Sequence, residues 1–435
     1  MTKEKTSIFK YEGVNYLLPF ILITACFALW GFANDITNPM VKAFSKIFRM
    51  SVTEGALTQV AFYGGYFAMA LPAAMFIRRF TYKKGILMGL GLYATGAFLF
   101  IAARSTGTYW PFLVAYFILT CGLSFLETSA NPYILAMGSP ETATRRLNFA
   151  QSFNPIGSLC GMYVAMNFIQ ARLNPLSSAE RANLESAEFE AMKQSDLGIL
   201  IKPYVIIGLV IVVMFLLILL VRMPHVKEEN KGSIRETLRD LIGKQRYREG
   251  VLAQFFYVGV QIMCWTFIIQ YGTRIFMEMG MSEIDAEVLS QKYNIAAMVI
   301  FCCSRFFCTW LMKFVSPGKM LHFFALAGIA CTLGVIFIQG IIGLYCLVAV
   351  SACMSLMFPT IYGIALEGLG EDAKFGAAGL IMAILGGSIL PPVQAMIIDR
   401  GIIAGMPAVN VSFVLPLICF VVIAIYGYRV FKKII

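Results

Sequence analysis

Gly122-Leu123-Ser124-Phe125-Leu126-Glu127-Thr128-Ser129-Ala130-Asn131-Pro132 sets an ionisable carboxylate, with hydroxyl, amide and proline neighbours, inside an apolar run extending from about residue 109 to 137. Such a run exceeds the roughly 20 residues that a helix needs to cross a hydrocarbon core of about 30 Å. A charge near a bilayer centre costs about 2.5–3.5 kcal/mol on insertion scales, so an acid kept there usually faces a cavity and marks function. Glu127 can also be read as a packing residue hydrogen-bonded to the next helix. Against that stand a second acid, Asp35, in the first apolar run and polar residues recurring on other runs.

Of 435 residues, 59% are hydrophobic and 14% charged, and the charges fall in short clusters between apolar runs. This composition describes an all-α polytopic membrane protein; the alternating segments of about ten residues that build an outer-membrane barrel are absent. The net charge of +11 would suit nucleic acid, but the basic residues sit in loops on one side of the runs, which is a topology signal. Most of the 11 cysteines lie inside apolar runs. They show no Cys-x-x-Cys or Cys/His spacing, and His225 and His322 are the only histidines, so no metal site is expected. Gly-x-Ser-x-Gly, His-Glu-x-x-His, a Walker loop and a dinucleotide fingerprint are likewise missing, so neither an enzyme, a cofactor nor ATP drive is expected.

Met1 to Asn15 is polar and basic, and the first run begins near Tyr16. Trp30 to Met40 continues its hydrophobic pattern without a small-residue cleavage site, which reads as a span rather than a signal peptide. Further runs lie at about 54–77, 86–104, 109–137, 146–171 and 199–222, then at about 251–278, 287–313, 319–339, 341–365, 374–397 and 408–430. The charged segment Met223 to Gly250 divides the chain into a half at 1–222, a linker at 223–250 and a half at 251–435. Within the linker, Ile234, Leu238, Leu241 and Ile242 recur at helical spacing and predict an amphipathic helix on the inner face. Placing both termini on one side concentrates Lys and Arg there, which predicts cytoplasmic termini. In the outward loop from Ala171 to Gly198, the helix formers of 179–185 predict a short surface helix.

The halves echo one another. A basic turn (Arg78, Arg79, Lys83, Lys84) stands between the second and third spans, and another (Lys313, Lys319) between the eighth and ninth; Pro132 and Pro359 occupy the fourth and tenth. Six spans, a charged linker and six more point to the two-bundle secondary transporters, whose substrates bind near the midplane. Polar side chains recur at helical spacing in four sets: Asn34, Asp35 and Asn38; Glu127 and Asn131; Gln151 and Asn154; Tyr257, Gln261 and Trp265. Amides and carboxylates of this kind pair with sugar hydroxyls while aromatic surface covers the C–H face of the ring. A lone amide serves equally well as an interhelical hydrogen bond of about 0.6 kcal/mol; four such faces together favour a cavity. Trp30 and Trp265 are stacking platforms or core packing, whereas Trp110, beside Pro111, reads as an interfacial anchor. Arg305 is expected to pair with a carbonyl or carboxylate rather than to touch substrate. Pro132, Pro155, Pro359, Pro391 and Pro392 interrupt helices.

Phe27-Ala28-Leu29-Trp30-Gly31, Phe62-Tyr63-Gly64-Gly65-Tyr66-Phe67, Leu126-Glu127-Thr128-Ser129-Ala130-Asn131-Pro132, Ala150-Gln151-Ser152-Phe153-Asn154, the stretch from Ala253 to Gln261, and Phe358-Pro359-Thr360-Ile361 closely resemble the L-fucose:proton symporters of the major facilitator superfamily. The resemblance covers nearly the whole chain. It implies twelve transmembrane helices in two six-helix bundles, and proton-coupled import of L-fucose or a related monosaccharide by alternating access across the plasma (inner) membrane. The alternatives are a non-transporting sugar sensor and a facilitative uniporter. The expected partners are the sugar, protons and the lipid bilayer, with no nucleic acid, and a monomer is expected. By position, the resemblance implies proton and sugar handling for Glu127 and sugar binding for Gln151 and Asn154. The first span departs from the family, because Asn34-Asp35-Ile36 follows Trp30 after a shorter interval, so the family's acid falls on Asp35 in one alignment and on Asn38 in another. Those positions share a helix face. Counting helix rise from the inner ends places Asp35 nearer the outside than Glu127.

Overall fold

Inside hydrocarbon each run must satisfy its own backbone, and the α-helix does so without borrowing donors from elsewhere. The computed structural model describes residues 10–11, 14–37, 40–50, 54, 57–176, 180–181, 183–223 and 234–434. In chain order its helices are α1 (Leu17–Thr37), α2 (Met40–Phe48), α3 (Leu57–Arg79), α4 (Tyr82–Thr106), α5 (Trp110–Ala136), α6 (Ala143–Gln151), α7 (Asn154–Val164), α8 (Ser186–Leu220) and α9 (Ile234–Gly243). There follow α10 (Gln245–Glu278), α11 (Glu283–Leu311), α12 (Pro317–Phe337), α13 (Ile341–Met354), α14 (Met357–Leu366), α15 (Ala373–Met382), α16 (Gly386–Ile398), α17 (Ala408–Ser412) and α18 (Val414–Phe431). Two short antiparallel hairpins, Lys10–Tyr11 with Val14–Asn15 and Ile402–Ile403 with Met406–Pro407, complete the described secondary structure.

Among the described residues, 11 helical segments are long and apolar enough to cross a membrane. The twelfth expected span, fifth in order, is interrupted: α6 stops at Gln151, α7 resumes at Asn154, and a π-turn follows at Ala165–Ile169. Pro155 causes the break, since it has no N–H to return to the carbonyl four residues earlier. The tenth span breaks in the same way between α13 and α14, ahead of Pro359.

The chain resolves into two compact units, residues 1–138 with 153–227, and residues 139–152 with 228–435. In the first, α5 packs on α3 and α4, α8 on α4, and α7 on α1; in the second, α10 packs on α11, α16 and α18, α12 on α13 and α18, and α6 on α14 and α11. Residues 139–152 thus pack with the second unit although they precede the linker. Small residues permit close helix contacts in the first unit. A Cβ on Gly122 of α5 would lie 2.5 Å from both the Gly89 carbonyl oxygen and the Tyr93 nitrogen of α4, and one on Gly89 would meet the Gly122 carbonyl oxygen at 2.8 Å. This is the small-residue helix packing of membrane proteins, in which backbones approach because nothing stands between them. Helix α4 itself starts on Thr81, whose hydroxyl accepts from the Lys84 nitrogen, and ends at Gly107 with φ 62°.

Two loop expectations fare differently. The linker helix is present as α9, with Leu241 buried and Ile242 exposed. The surface-helix expectation for residues 179–185 is met only in part among the described residues. Residues 177–179 and 182 lie outside the described residues, Glu180 and Arg181 are helical, and the acids from Ser186 onward extend α8. Arg181 is fully buried, bonded to Asp196 at 2.7 Å and to the carbonyls of Asn174 and Leu176, which offset the cost of taking its charge out of water.

Gly122→Val is expected to destabilise the protein by about 1–3 kcal/mol through overpacking. Gly64→Ala, where a Cβ meets nothing within 4 Å, is expected to leave stability unchanged or slightly raised. Thermal unfolding of the two detergent-purified variants checks this; equal melting temperatures would mean that the α4–α5 contact is not tight.

Candidate functional site

In the first unit the site is built where α3 meets α5. A Cβ on Gly65 would lie 2.8 Å from Thr120 Cβ and 2.9 Å from the Phe117 carbonyl oxygen, so only glycine lets α3 lie this close. The approach carries the next residue, Tyr66, into hydrogen-bonding reach of the Glu127 carboxyl. Glu127 is 2% exposed, and its Oε2 has no hydrogen-bond partner among the described residues. The Tyr66 hydroxyl also donates to Asn34 Oδ1 at 3.4 Å, while Ser124 anchors the Tyr66 carbonyl at 3.0 Å. One phenol therefore ties the first span to the acid of the fourth. A buried carboxyl with an open oxygen is equipped to take a proton or to accept from a polyol hydroxyl.

The other first-unit candidates divide. Asn34 and Asp35 are half-buried, with Asp35 close enough to Tyr63 to act on it electrostatically. Asn38 lies outside the described residues. Asn131 is fully buried and turns its Nδ2 back to the Glu127 carbonyl at 3.1 Å, within its own helix. Asn154, half-buried at the start of α7, donates Nδ2 to the Phe27 carbonyl at 3.1 Å. Trp30 is buried and stacked on Phe27 with centroids 4.9 Å apart.

In the second unit, Tyr257 is fully buried, its ring 6.1 Å from that of Phe358 and its hydroxyl facing the Arg305 guanidinium. Gln261 is half-buried. Trp265 is half-buried, donates Nε1 to Ser351 Oγ at 3.3 Å and meets Phe301 edge-on at 4.9 Å. Arg305 pairs with carbonyls, as its position in the eighth span predicts. Gln151 is buried at the end of α6, in the second unit, and Asn154 opens α7, in the first; Ser152 and Phe153 between them keep right-handed helical dihedrals. Tyr66 was not among the sequence candidates. An aromatic residue in an apolar run reads as core or lipid contact, and its one signal was the adjacent Gly64-Gly65 pair, which marks a close backbone approach.

Residues 22–392 match the Major Facilitator Superfamily. Over 425 residues the chain is 54% identical to the L-fucose-proton symporter of Haemophilus influenzae, covering 96% of this chain and 97% of that protein. It is 30% identical to the glucose/galactose transporter of Brucella abortus, over 95% of this chain and 94% of that one. Crystal structures of the E. coli fucose:proton symporter and of a major facilitator superfamily transporter in the outward conformation each superpose with a TM-score of 0.85 at 34% identity, covering 95% of this chain and 98% of that chain.

The Tyr66–Glu127 contact makes a quantitative expectation. Tyr66→Phe alone strips the acid of its phenol and should cost about 1–3 kcal/mol, whereas the same change beside Glu127→Leu, where both polar groups are gone, should be nearly neutral. Unfolding midpoints of the four proteins in this cycle give the coupling; additive effects would show that the two groups do not interact.

Proposed function

The chain belongs to the major facilitator superfamily, in its branch of L-fucose-proton symporters and glucose/galactose transporters, and we propose that it is a secondary active sugar:proton symporter with L-fucose as its leading substrate. It is a multi-pass membrane transporter of twelve helices in two six-helix bundles, and not an enzyme. The observation that carries the symporter reading is the buried Glu127 carboxyl, touched by one phenol and open at Oε2. A group so placed exchanges a proton against a hydrogen-bonded ligand without needing a second buried charge.

In this reading Glu127 couples protonation to sugar occupancy, and Asp35, half-buried in the first span, exchanges protons with the external medium. Asn34, Gln151, Tyr257 and Gln261 are assigned to the sugar. Asn154 contributes through Oδ1, its Nδ2 being engaged by Phe27. Trp265 supplies apolar surface, while Trp30 and Asn131 hold the first and fourth spans in shape. The halves 1–222 and 251–435 are joined by a cytoplasmic linker; both termini are cytoplasmic, the membrane is the inner membrane, and the protein works as a monomer. The concentration of Lys and Arg on the terminal side supports this orientation.

Proteoliposomes under an imposed pH gradient should accumulate labelled L-fucose and lose it when an uncoupler is added, with a panel of competing sugars ranking the substrates. Binding without accumulation would indicate a sensor, and equilibration without concentration a uniporter. Glu127→Gln keeps the hydrogen-bonding shape but not the titratable proton, and should abolish proton-driven accumulation. Asp35→Asn should impair driven uptake more than equilibrium binding. Normal concentrative uptake by the Glu127→Gln protein would reduce that residue to a structural role.

A further inference from the structure

Proline interruptions in the fifth and tenth spans create the same chemical problem. Pro155 offers no N–H to the carbonyl of Gln151, four residues earlier, and Pro359 offers none to that of Ser355. In hydrocarbon each such carbonyl needs a donor from elsewhere. One side chain serves both. Arg305 Nη1 donates to the Gln151 carbonyl at 3.1 Å, and Arg305 Nε donates to the Ser355 carbonyl at 2.5 Å. The guanidinium is 3% exposed and its carbon lies 4.5 Å from the Phe301 ring centroid. Among the described residues no carboxylate pairs with it. Its charge is instead met by carbonyls at the C-terminal ends of α6 and α13, where helix dipoles are negative.

The remaining seat of α6 in the second unit is also polar. Asn148 Nδ2 donates to Thr360 Oγ1 at 3.2 Å, the Ser152 and Thr309 hydroxyls lie 3.5 Å apart, and a Cβ on Gly363 would meet Thr144 Oγ1 at 2.7 Å. The continuation of the same span is held differently. In the first unit, α7 meets α1 backbone to backbone, Gly157 against the Ala28 carbonyl and Gly161 against the Phe32 carbonyl. Polar side-chain contacts exchange for water at little net cost, and Gly363 meets only the Thr144 side chain, whereas a backbone-to-backbone glycine contact has no aqueous substitute. The α6 seat is therefore the side of this span built to release.

We propose that Arg305 is a positioning residue and a releasable latch: it holds α6, and with it Gln151, through the carbonyl that Pro155 leaves open, and the transport cycle breaks and remakes that bond. The latch itself stands on geometry; only its place in a cycle rests on the transporter reading.

The test uses full-length protein in liposomes carrying Thr144→Cys, with Arg305→Gln, Arg305→Lys or Pro155→Ala added. Labelling of the new cysteine by a membrane-impermeant maleimide is compared with the same variants lacking it. Pro155→Ala is informative because it leaves the cation in place and restores an amide that competes for the Gln151 carbonyl. Labelling should quicken at least tenfold in Arg305→Gln and severalfold in Pro155→Ala, with Arg305→Lys, which has no planar fork to reach both carbonyls, in between. Gradient-driven uptake should fall in the same order. Unchanged labelling in Pro155→Ala would overturn the latch, and that variant decides the matter should Arg305→Gln fail to fold. Faster labelling with undiminished uptake would overturn its role in the cycle. No sugar enters the labelling assay, so a wild-type protein that transports no fucose would defeat the functional reading while leaving the latch to be judged on its own.

Discussion

A carbonyl buried in hydrocarbon must find a donor, and a proline four residues further on removes the one the helix would have supplied. Much of the functional architecture follows from how this constraint is met. Regular spans meet it internally. The interrupted fifth and tenth spans meet it by recruiting Arg305, so a cation is held deep in the second unit with no acid beside it among the described residues. An arginine suits this task because its planar guanidinium presents several donors in a fixed arrangement, and its charge persists when water is excluded.

Two arrangements contrast among the buried charges. Arg181 and Asp196 pair directly at 2.7 Å, and with the Arg181 bonds to the Asn174 and Leu176 carbonyls they tie the loop at 171–185 down. Glu127 and Arg305 are each surrounded instead by neutral dipoles: a phenol for the acid, and carbonyls with an aromatic ring for the cation. A paired ion has its proton inventory fixed by its partner. An acid flanked, among the described residues, by a hydroxyl keeps a protonation state that a ligand or a change of surroundings can alter, which is what coupling to a proton gradient demands.

Small residues set the positions at which these groups meet. Gly89 and Gly122 bring α4 onto α5, Gly65 brings α3 onto the same helix, and Gly157 and Gly161 seat α7 on α1. With the backbones so close, the Tyr66 side chain reaches both Asn34 and Glu127. A larger residue at position 65 would separate those spans and remove the link, although position 65 itself makes no hydrogen bond to the acid.

The apolar run lengths and the charged linker determined the helical class, the number of spans and the anomaly of Glu127, because a hydrocarbon core imposes a length and penalises a charge whatever the helices pack against. Trp110, 69% exposed beside Pro111, follows from local chemistry in the same way, as does a carbonyl partner for Arg305. The interruption between Gln151 and Asn154 is the local consequence of Pro155, whereas the assignment of the two residues to different compact units is not visible in their spacing. Trp30 was open between stacking on sugar and packing, and lies on Phe27. Tyr66 as the partner of Glu127, and Arg305 as the donor to two particular carbonyls, were decided only by tertiary structure. Both depend on which faces of separate helices meet and how closely their backbones approach, and helical periodicity describes the face of one helix without naming its neighbour.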